Sequence, residues 1–167
     1  MKGKLTTERV TIEALNISDA EFIKTLLNTE GWIRNIGNRN IATIKDAETY
    51  IQKILGNDNY NYYVVRVKEN STPIGIVTFI KRDNQQYPDI GFAFLPEYAG
   101  RGYAYEASKA FLDNILEERK WENIIGITLI TNSNSIKLLE KLGLRCRKTF
   151  KENEEHLFLY SLYDLEN

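Results

Sequence analysis

The fold of this chain is decided by residues 94–104, which read Phe94-Leu95-Pro96-Glu97-Tyr98-Ala99-Gly100-Arg101-Gly102-Tyr103-Ala104. An apolar run typical of a strand, Ile90–Leu95, leads into this stretch, and an alanine-rich amphipathic run begins at Tyr103. A strand, a glycine turn and a helix in this order direct backbone N–H groups and the positive end of a helix toward an anion. Glycine also allows close approach of a phosphate, because it has no Cβ. The stretch therefore predicts a loop that binds a phosphorylated cofactor, with Arg101 as an added cation.

The composition is that of an ordinary globular chain and excludes several classes of function. The 167 residues suit a single domain spanning 1–167, with 43% hydrophobic and 27% charged residues. Twenty-two Lys and Arg balance 23 Asp and Glu, which argues against a nucleic-acid or membrane-surface partner. No apolar run approaches about 18 residues and no signal peptide is evident, so we expect a cytoplasmic protein. Cys146 and His156 are single residues of their type, so no internal disulfide and no His/Cys metal site is expected.

Periodicity predicts the remaining elements. Strands are expected at residues 9–15, 60–67, 74–81, 90–95, 124–130, 145–150 and 156–163. Helices are expected after a capping box at Ser18-Asp19-Ala20-Glu21, from Thr43 to Leu55, from Tyr103 onward, and from Ser133 to Leu142, with Gly143 as C-cap. Gly31–Asn40 is expected to be a loop. This order indicates an α+β domain with a mixed sheet, in which the glycine loop follows the fourth strand.

A second motif supports the cofactor hypothesis. Asn132-Ser133-Asn134-Ser135-Ile136, followed by Leu139–Leu144, opens a helix after a strand about thirty residues beyond the glycine loop. With Thr7–Ile12 and Ile90–Tyr98, these motifs resemble the GNAT superfamily of acetyl-CoA-dependent N-acetyltransferases, and within it the ribosomal-protein N-terminal (RimJ/RimL-like) branch. The resemblance implies a mostly antiparallel sheet of about seven strands with helices on both faces.

The resemblance also implies which residues bind acetyl-CoA. Backbone amides of the loop Gly100, Arg101, Gly102, Tyr103 and Ala104 would hold the coenzyme A pyrophosphate. Backbone groups of Phe94 and Leu95 would be left free by a splayed strand and pair with the pantetheine arm. Asn132 would lie beside that arm, and Ser135 would face the thioester. The alternatives are an ordinary strand-to-helix turn, core packing of the two apolar side chains, and helix capping by Asn132.

Aminolysis of a thioester requires a neutral amine and a group that takes up its proton. Asp89 and Glu97 are candidate bases, and Asp89 would act through water. The alternative for Asp89 is a solvated residue at the end of a strand. Ser135 or a water would return a proton to the leaving sulfur. We predict that Cys146 is a strand residue and no nucleophile, and that tyrosines 98, 103 and 105 are packing groups rather than acids.

The sequence thus predicts acetyl transfer from acetyl-CoA to a primary amine by direct attack in a ternary complex. The amine is a protein N-terminus or a small molecule such as a polyamine or an antibiotic. A non-catalytic module that binds or senses acyl-CoA is the alternative from another class. Residues 32–40 either border the acceptor amine or form a surface loop around a buried Trp32. The expected assembly is a monomer or a homodimer without a metal.

Overall fold

An eight-stranded sheet forms the centre of the molecule in a computed structural model that describes residues 3–165. The strand order is β1-β2-β3-β4-β5-β6-β8-β7, and every pair of neighbours is antiparallel except β5 and β6. The strands are β1 Leu5–Thr6, β2 Val10–Ala14, β3 Tyr60–Val67, β4 Pro73–Ile80, β5 Asp89–Phe94, β6 Ile125–Leu129, β7 Arg145–Glu152 and β8 Glu155–Ser161. The α-helices are α1 Ala20–Leu27, α2 Glu30–Asn35, α3 Ile44–Leu55, α4 Tyr103–Glu117 and α5 Ser133–Lys141.

The predicted α+β class with a mixed, mostly antiparallel sheet is confirmed, with three local corrections. Strand β1 is an eighth strand, so the glycine loop follows the fifth strand rather than the fourth. Part of the expected loop 31–40 is helix α2, which Thr29 caps by accepting a hydrogen bond from the N–H of Trp32. The capping box before α1 uses Asn16 and Asp19 instead of Ser18 and Glu21. A single 3₁₀ turn therefore precedes α1.

Alternation along the strands builds two cores on opposite faces of the sheet. On β3, Tyr63 and Val65 are buried against α4, whose Phe111 is fully buried, whereas Val64 is buried on the other face with α1 and α3. Trp32 of α2 joins this second core and is 5% exposed. The helices therefore cover both faces, as predicted. In residues 3–165, no helix has the length and apolar character that a bilayer crossing requires.

The gap between β5 and β6 is the feature that creates the site. These parallel strands pair at one position, Asp89 with Ile125. On the other side of β5, the N–H of Leu95 donates to the carbonyl oxygen of Ile74 on β4 at 2.9 Å. Because backbone groups alternate in direction along a strand, those of Phe92 and Phe94 point into the gap. The prediction that Leu95 also offers a free N–H is wrong, because this N–H already donates its hydrogen bond to β4.

Candidate active site

The gap opens into a cleft with two lobes. The glycine-loop lobe has a volume of about 410 Å³ and extends from the gap to the start of α4. The aromatic lobe has a volume of about 280 Å³ and extends along the face of β3, β4 and β5 that α2 covers. Residues that line both lobes are Trp32, Asn35, Ile36, Phe92, Ala93, Asn132 and Ser135. A molecule in one lobe therefore meets a molecule in the other at this junction.

The start of α4 presents its backbone to the glycine-loop lobe. Gly100 and Gly102 have φ of 71° and 82°, in the left-handed region that favours glycine, and Gly102 is the N-cap of α4. The first helical hydrogen bond of α4 runs from the N–H of Glu106 to the carbonyl of Gly102 at 3.0 Å. The N–H groups of residues 103–105 therefore have no acceptor within the helix. Free donors at a helix N-terminus are suited to binding a pyrophosphate.

Not every residue predicted for the loop lines the lobe. Gly100, Gly102 and Ala104 do, but the side chains of Arg101 and Tyr103 do not. The guanidinium carbon of Arg101 lies 5.9 Å from the ring centre of Tyr98, at the edge of the lobe. Of the two predicted strand residues, Phe94 lines the lobe, whereas Leu95 packs in the core beneath α1.

A latch that the sequence analysis missed fastens the loop to the N-terminal strands. Glu106, in the first turn of α4, accepts hydrogen bonds from the hydroxyl of Thr7 at 2.6 Å and from the backbone N–H and Nε of Arg9 at 2.8 and 2.6 Å. The same guanidinium donates to the carbonyl of Arg101 at 3.0 Å and lies 4.6 Å from the ring centre of Tyr103. Burial raises the pKa of Glu106, but these hydrogen bonds outweigh it and hold the pKa below its usual value. The latch joins residues 97 positions apart, so no local pattern reveals it.

Helix α5 brings Asn132 and Ser135 to the junction. The side-chain oxygen of Asn132 accepts a hydrogen bond from the N–H of Ser135 at 3.2 Å, so the capping role is confirmed. Both side chains are half-buried and line both lobes. Gly126 on β6 permits this position of α5, since a Cβ there would lie 2.4 Å from the Cδ2 of Leu139.

Among residues 3–165, Asp89 is the one carboxylate that lines the aromatic lobe, and it is the first residue of β5, next to β6. Asp89 is 3% exposed and forms an ion pair with Arg82, so the alternative of a solvated strand-end residue is wrong. Burial raises the pKa of Asp89, and the contact with Arg82 opposes this rise. Tyr62 lies in the same lobe, where burial and a hydrogen bond with Tyr50 raise the pKa of its hydroxyl. A carboxylate whose pKa is raised by burial is a stronger base than an exposed one, so Asp89 is a candidate proton acceptor.

Of the remaining predicted residues, Tyr98 and Tyr105 line the glycine-loop lobe, whereas Glu97, Tyr103 and Cys146 line neither lobe. Glu97 is exposed in the 3₁₀ turn Pro96–Tyr98 and lines neither lobe. Cys146 lies in β7, as predicted, and is exposed. Tyr98 packs edge-on against Tyr103, with ring centres 6.1 Å apart. The ammonium nitrogen of Lys141 lies 4.1 Å from the ring centre of Tyr105. These contacts agree with packing roles for the three tyrosines.

The charges that line the two lobes differ. Lys137 and Lys141 line the glycine-loop lobe, and no carboxylate is found among its described lining residues. The lobe therefore suits an anionic ligand. In the aromatic lobe, the charged lining residues between positions 3 and 165 are Arg39, Arg82 and Asp89.

Residues 9–145 match the acetyltransferase (GNAT) domain family, so the chain belongs to this family. The chain is an acetyl-CoA-dependent N-acetyltransferase, and the donors and lysines of the glycine-loop lobe suit the pyrophosphate of that cofactor.

Individual proteins resemble this chain in sequence or in fold. The uncharacterized N-acetyltransferase YnaD of Bacillus subtilis is 27% identical over 148 residues, which cover 89% of this chain and 86% of that protein. The ribosomal-protein-S5-alanine acetyltransferase of Vibrio fischeri superposes with a TM-score of 0.80 at 20% identity, covering 95% of this chain and 94% of that one. RimL, a ribosomal L7/L12 alpha-N-protein acetyltransferase solved with coenzyme A, superposes with a TM-score of 0.81 at 10% identity, covering 94% and 95%. The GNAT fold predicted from the sequence is confirmed.

Proposed function

We propose that the enzyme transfers the acetyl group to a primary amine by direct attack in a ternary complex. Acetyl-CoA supplies an activated thioester from the glycine-loop lobe, and the amine enters through the aromatic lobe. The observation that carries this proposal is the junction, where residues of β5 and α5 line both lobes at once. Two ligands that meet there need no covalent acyl-enzyme between them.

The cofactor is held mainly by backbone groups. The loop from Gly100 to Ala104 offers N–H groups to the pyrophosphate, and Lys137 and Lys141 neutralise further negative charge. The free edge of β5 pairs with the pantetheine arm in the manner of an added strand. The N–H of Phe94 points into the gap and is a donor for the thioester oxygen, which gains negative charge during attack.

The proton chemistry is assigned to two side chains. The amine nitrogen forms a bond to the acetyl carbon, the carbon–sulfur bond breaks, the nitrogen loses one proton and the sulfur gains one. Asp89 takes up the first proton through water from its buried position in the aromatic lobe. Ser135 delivers the second from the junction, and Asn132 fixes the start of its helix.

The acceptor class follows from the lining of the aromatic lobe. A polyamine or aminoglycoside site calls for several carboxylates, whereas the lobe has Asp89 alone among its described lining residues, and Arg82 neutralises it. The α-amino group of a peptide is the better candidate, which agrees with the two ribosomal-protein acetyltransferases of the same fold and with a RimJ/RimL-like branch. A single domain over 1–167, a cytoplasmic location and a monomeric or homodimeric state stay predictions.

The test of the proton assignment is a pair of serine variants assayed by release of coenzyme A from acetyl-CoA. Ser135→Ala is expected to lower kcat about tenfold or more, because the sulfur loses its proton donor. Ser133→Ala is the matched control, since Ser133 is exposed on the same helical turn and lines neither lobe. Equal kcat in both variants would contradict the role of Ser135.

The role of Asp89 is tested by the pH dependence of kcat with both substrates saturating, because kcat/KM would also report protonation of the free amine. A base must be deprotonated, so wild-type kcat is expected to fall as the pH drops through the raised pKa of Asp89. Asp89→Asn is expected to remove this acidic limb while the thermal transition reports whether the variant folds. An unchanged acidic limb in a folded variant would contradict the assignment.

A further inference from the structure

The aromatic lobe contains a cation that the proposed reaction does not use. Arg39 lines this lobe, and no carboxylate within residues 3–165 lies within 4.0 Å of its guanidinium. Tyr62 lines the same lobe, and the charge of Arg39 opposes the burial-driven rise in the pKa of this tyrosine. A cation without a counter-ion in a cleft is a place for an anionic ligand group.

The local backbone holds Arg39 at this position. Gly37 ends α2 with φ of 110°, and its N–H donates to the carbonyl of Trp32 at 3.1 Å. After Arg39, the N–H of Asn40 donates to the side chain of Asn38 at 2.8 Å. Ile41 is 7% exposed in the core, and its carbonyl accepts a hydrogen bond at 2.8 Å from the side-chain amide of Asn28, the C-cap of α1. The segment is therefore anchored on both sides of the arginine.

The rest of the lobe strengthens the preference for a negative group. Arg82 also lines it, and its ion pair with Asp89 cancels the charge of the lobe's one described carboxylate. The described lining therefore carries a net charge of +1, from two arginines and one aspartate. Tyr60 adds a hydroxyl group that can donate a hydrogen bond to an oxygen anion.

We propose that the acceptor is a primary amine that also bears a carboxylate, which Arg39 binds while the amine points toward the junction. This inference rests on the proposed acetyl transfer and narrows its substrate class. A peptide N-terminus with an acidic residue close behind it satisfies the geometry, and so does a free amino acid with an acidic side chain. Polycationic amines are excluded as preferred substrates, because they would place several ammonium groups in a lobe whose described lining already carries a net positive charge.

A kinetic comparison tests the preference directly. The dipeptide amides Ala-Asp-NH₂ and Ala-Asn-NH₂, the amino-acid α-amides Glu-NH₂ and Gln-NH₂, and spermidine are offered as acceptors, and release of coenzyme A is measured. In wild type, each acceptor with a side-chain carboxylate is expected to give a kcat/KM about tenfold above that of its matched side-chain amide. A tenfold ratio corresponds to about 1.4 kcal/mol of additional interaction with Arg39. Arg39→Gln is expected to reduce this ratio below about threefold through KM, with kcat retained.

Arg34→Gln is the matched control, because Arg34 lies in α2 next to the same segment, pairs with Glu30 and lines neither lobe. It is expected to keep the wild-type ratio. If wild type acetylates the side-chain amides or spermidine with the same kcat/KM as the acceptors that carry a side-chain carboxylate, the inference is overturned and the proposed acetyl transfer still stands. Absence of turnover with every amine, despite acetyl-CoA binding, would count against the proposed function instead.

A binding measurement keeps the inference testable without turnover. Trp32 and Trp121 are the two tryptophans, and Trp32 lines both lobes, so Trp121→Phe leaves one fluorescent reporter at the site. Titration with glutarate is expected to give a saturable fluorescence change that its diamide does not give and that Arg39→Gln abolishes. A wild-type protein that responds equally to both compounds, or to neither, would overturn the inference.

Discussion

Replacement of Glu106 by glutamine is the sharpest test of the latch that fastens the glycine loop. The carboxylate accepts three hydrogen bonds from Thr7 and Arg9, each between 2.6 and 2.8 Å. A glutamine keeps the shape and one oxygen, but its NH₂ group faces the Nε–H of Arg9, so a charge-assisted hydrogen bond becomes a contact between two donors. Because the side chain of Glu106 is 19% exposed, we expect a loss of about 2 kcal/mol in the free energy of unfolding at neutral pH.

For a chain of this size, that loss corresponds to a melting temperature lower by about 4–8 °C. The pH dependence follows from the lowered pKa of Glu106. A depressed pKa in the folded state stabilises the protein fully above the unfolded pKa of about 4.3, and this contribution is lost as the pH falls through the folded value. The difference between wild type and Glu106→Gln is therefore expected to be constant at neutral pH and to shrink below about pH 4.

Two measurements read out the effect, and a neighbouring carboxylate gives the control. Thermal unfolding reports stability, and calorimetric titration with acetyl-CoA reports the loop, for which we expect about three- to tenfold weaker binding because Arg9 no longer holds the Arg101 carbonyl firmly. Glu8→Gln changes the same chemical group at an exposed position. If both variants melt together and bind acetyl-CoA equally, the latch contributes nothing and the reasoning fails.

Three glycine substitutions test close approaches in the site. In denaturant titrations, Gly102→Ala is expected to destabilise the protein more than Gly100→Ala. Both positions have positive φ, so each alanine costs about 1–2 kcal/mol in backbone strain. At Gly102 the added Cβ would also lie 3.1 Å from the guanidinium of Arg9, whereas at Gly100 it would meet open space. Equal losses would contradict this. Gly126→Ala is expected to cost about 1–3 kcal/mol through overpacking against Leu139, and a wild-type unfolding midpoint would show that α5 does not pack as described.

Much of the fold was predictable because local patterns and tertiary packing agree. Strand β3 has the predicted bounds, Tyr60–Val67, since its aromatic and β-branched residues pack on both faces. Helix α4 begins at the predicted Tyr103, where the glycine N-cap fixes the start. Strand β1, Leu5–Thr6, was missed because two residues show no alternation. Helix α2 was missed because six residues with a glycine carry a weak helical signal, and burial of Trp32 supplies the missing stability.

The site was predictable where it depends on backbone geometry and unpredictable where it depends on long-range contacts. The glycine loop and the cap Asn132 are local features, and both occur as expected. The ion pair that neutralises Asp89 and the approach of Arg39 to the aromatic lobe depend on strand register and on the course of a loop. The free edge of β5 could not be predicted, because it exists only where β6 stops pairing with β5 after one position, and neither strand's sequence determines that register.

Binding of acetyl-CoA through the glycine loop is the central claim, and calorimetric titration of the cofactor against three proteins tests it most directly. Wild type is expected to bind in the micromolar range. Gly102→Trp is expected to lose binding, because the side chain would displace Arg9, whose Nη2 lies 3.1 Å from the Cβ position, and distort the loop that lines the lobe. Gly143→Trp is the control, with similar positive φ strain, open space for the side chain and no contact with either lobe, and it should bind as wild type does. Equal binding by all three folded proteins, or no binding by wild type, would contradict the account.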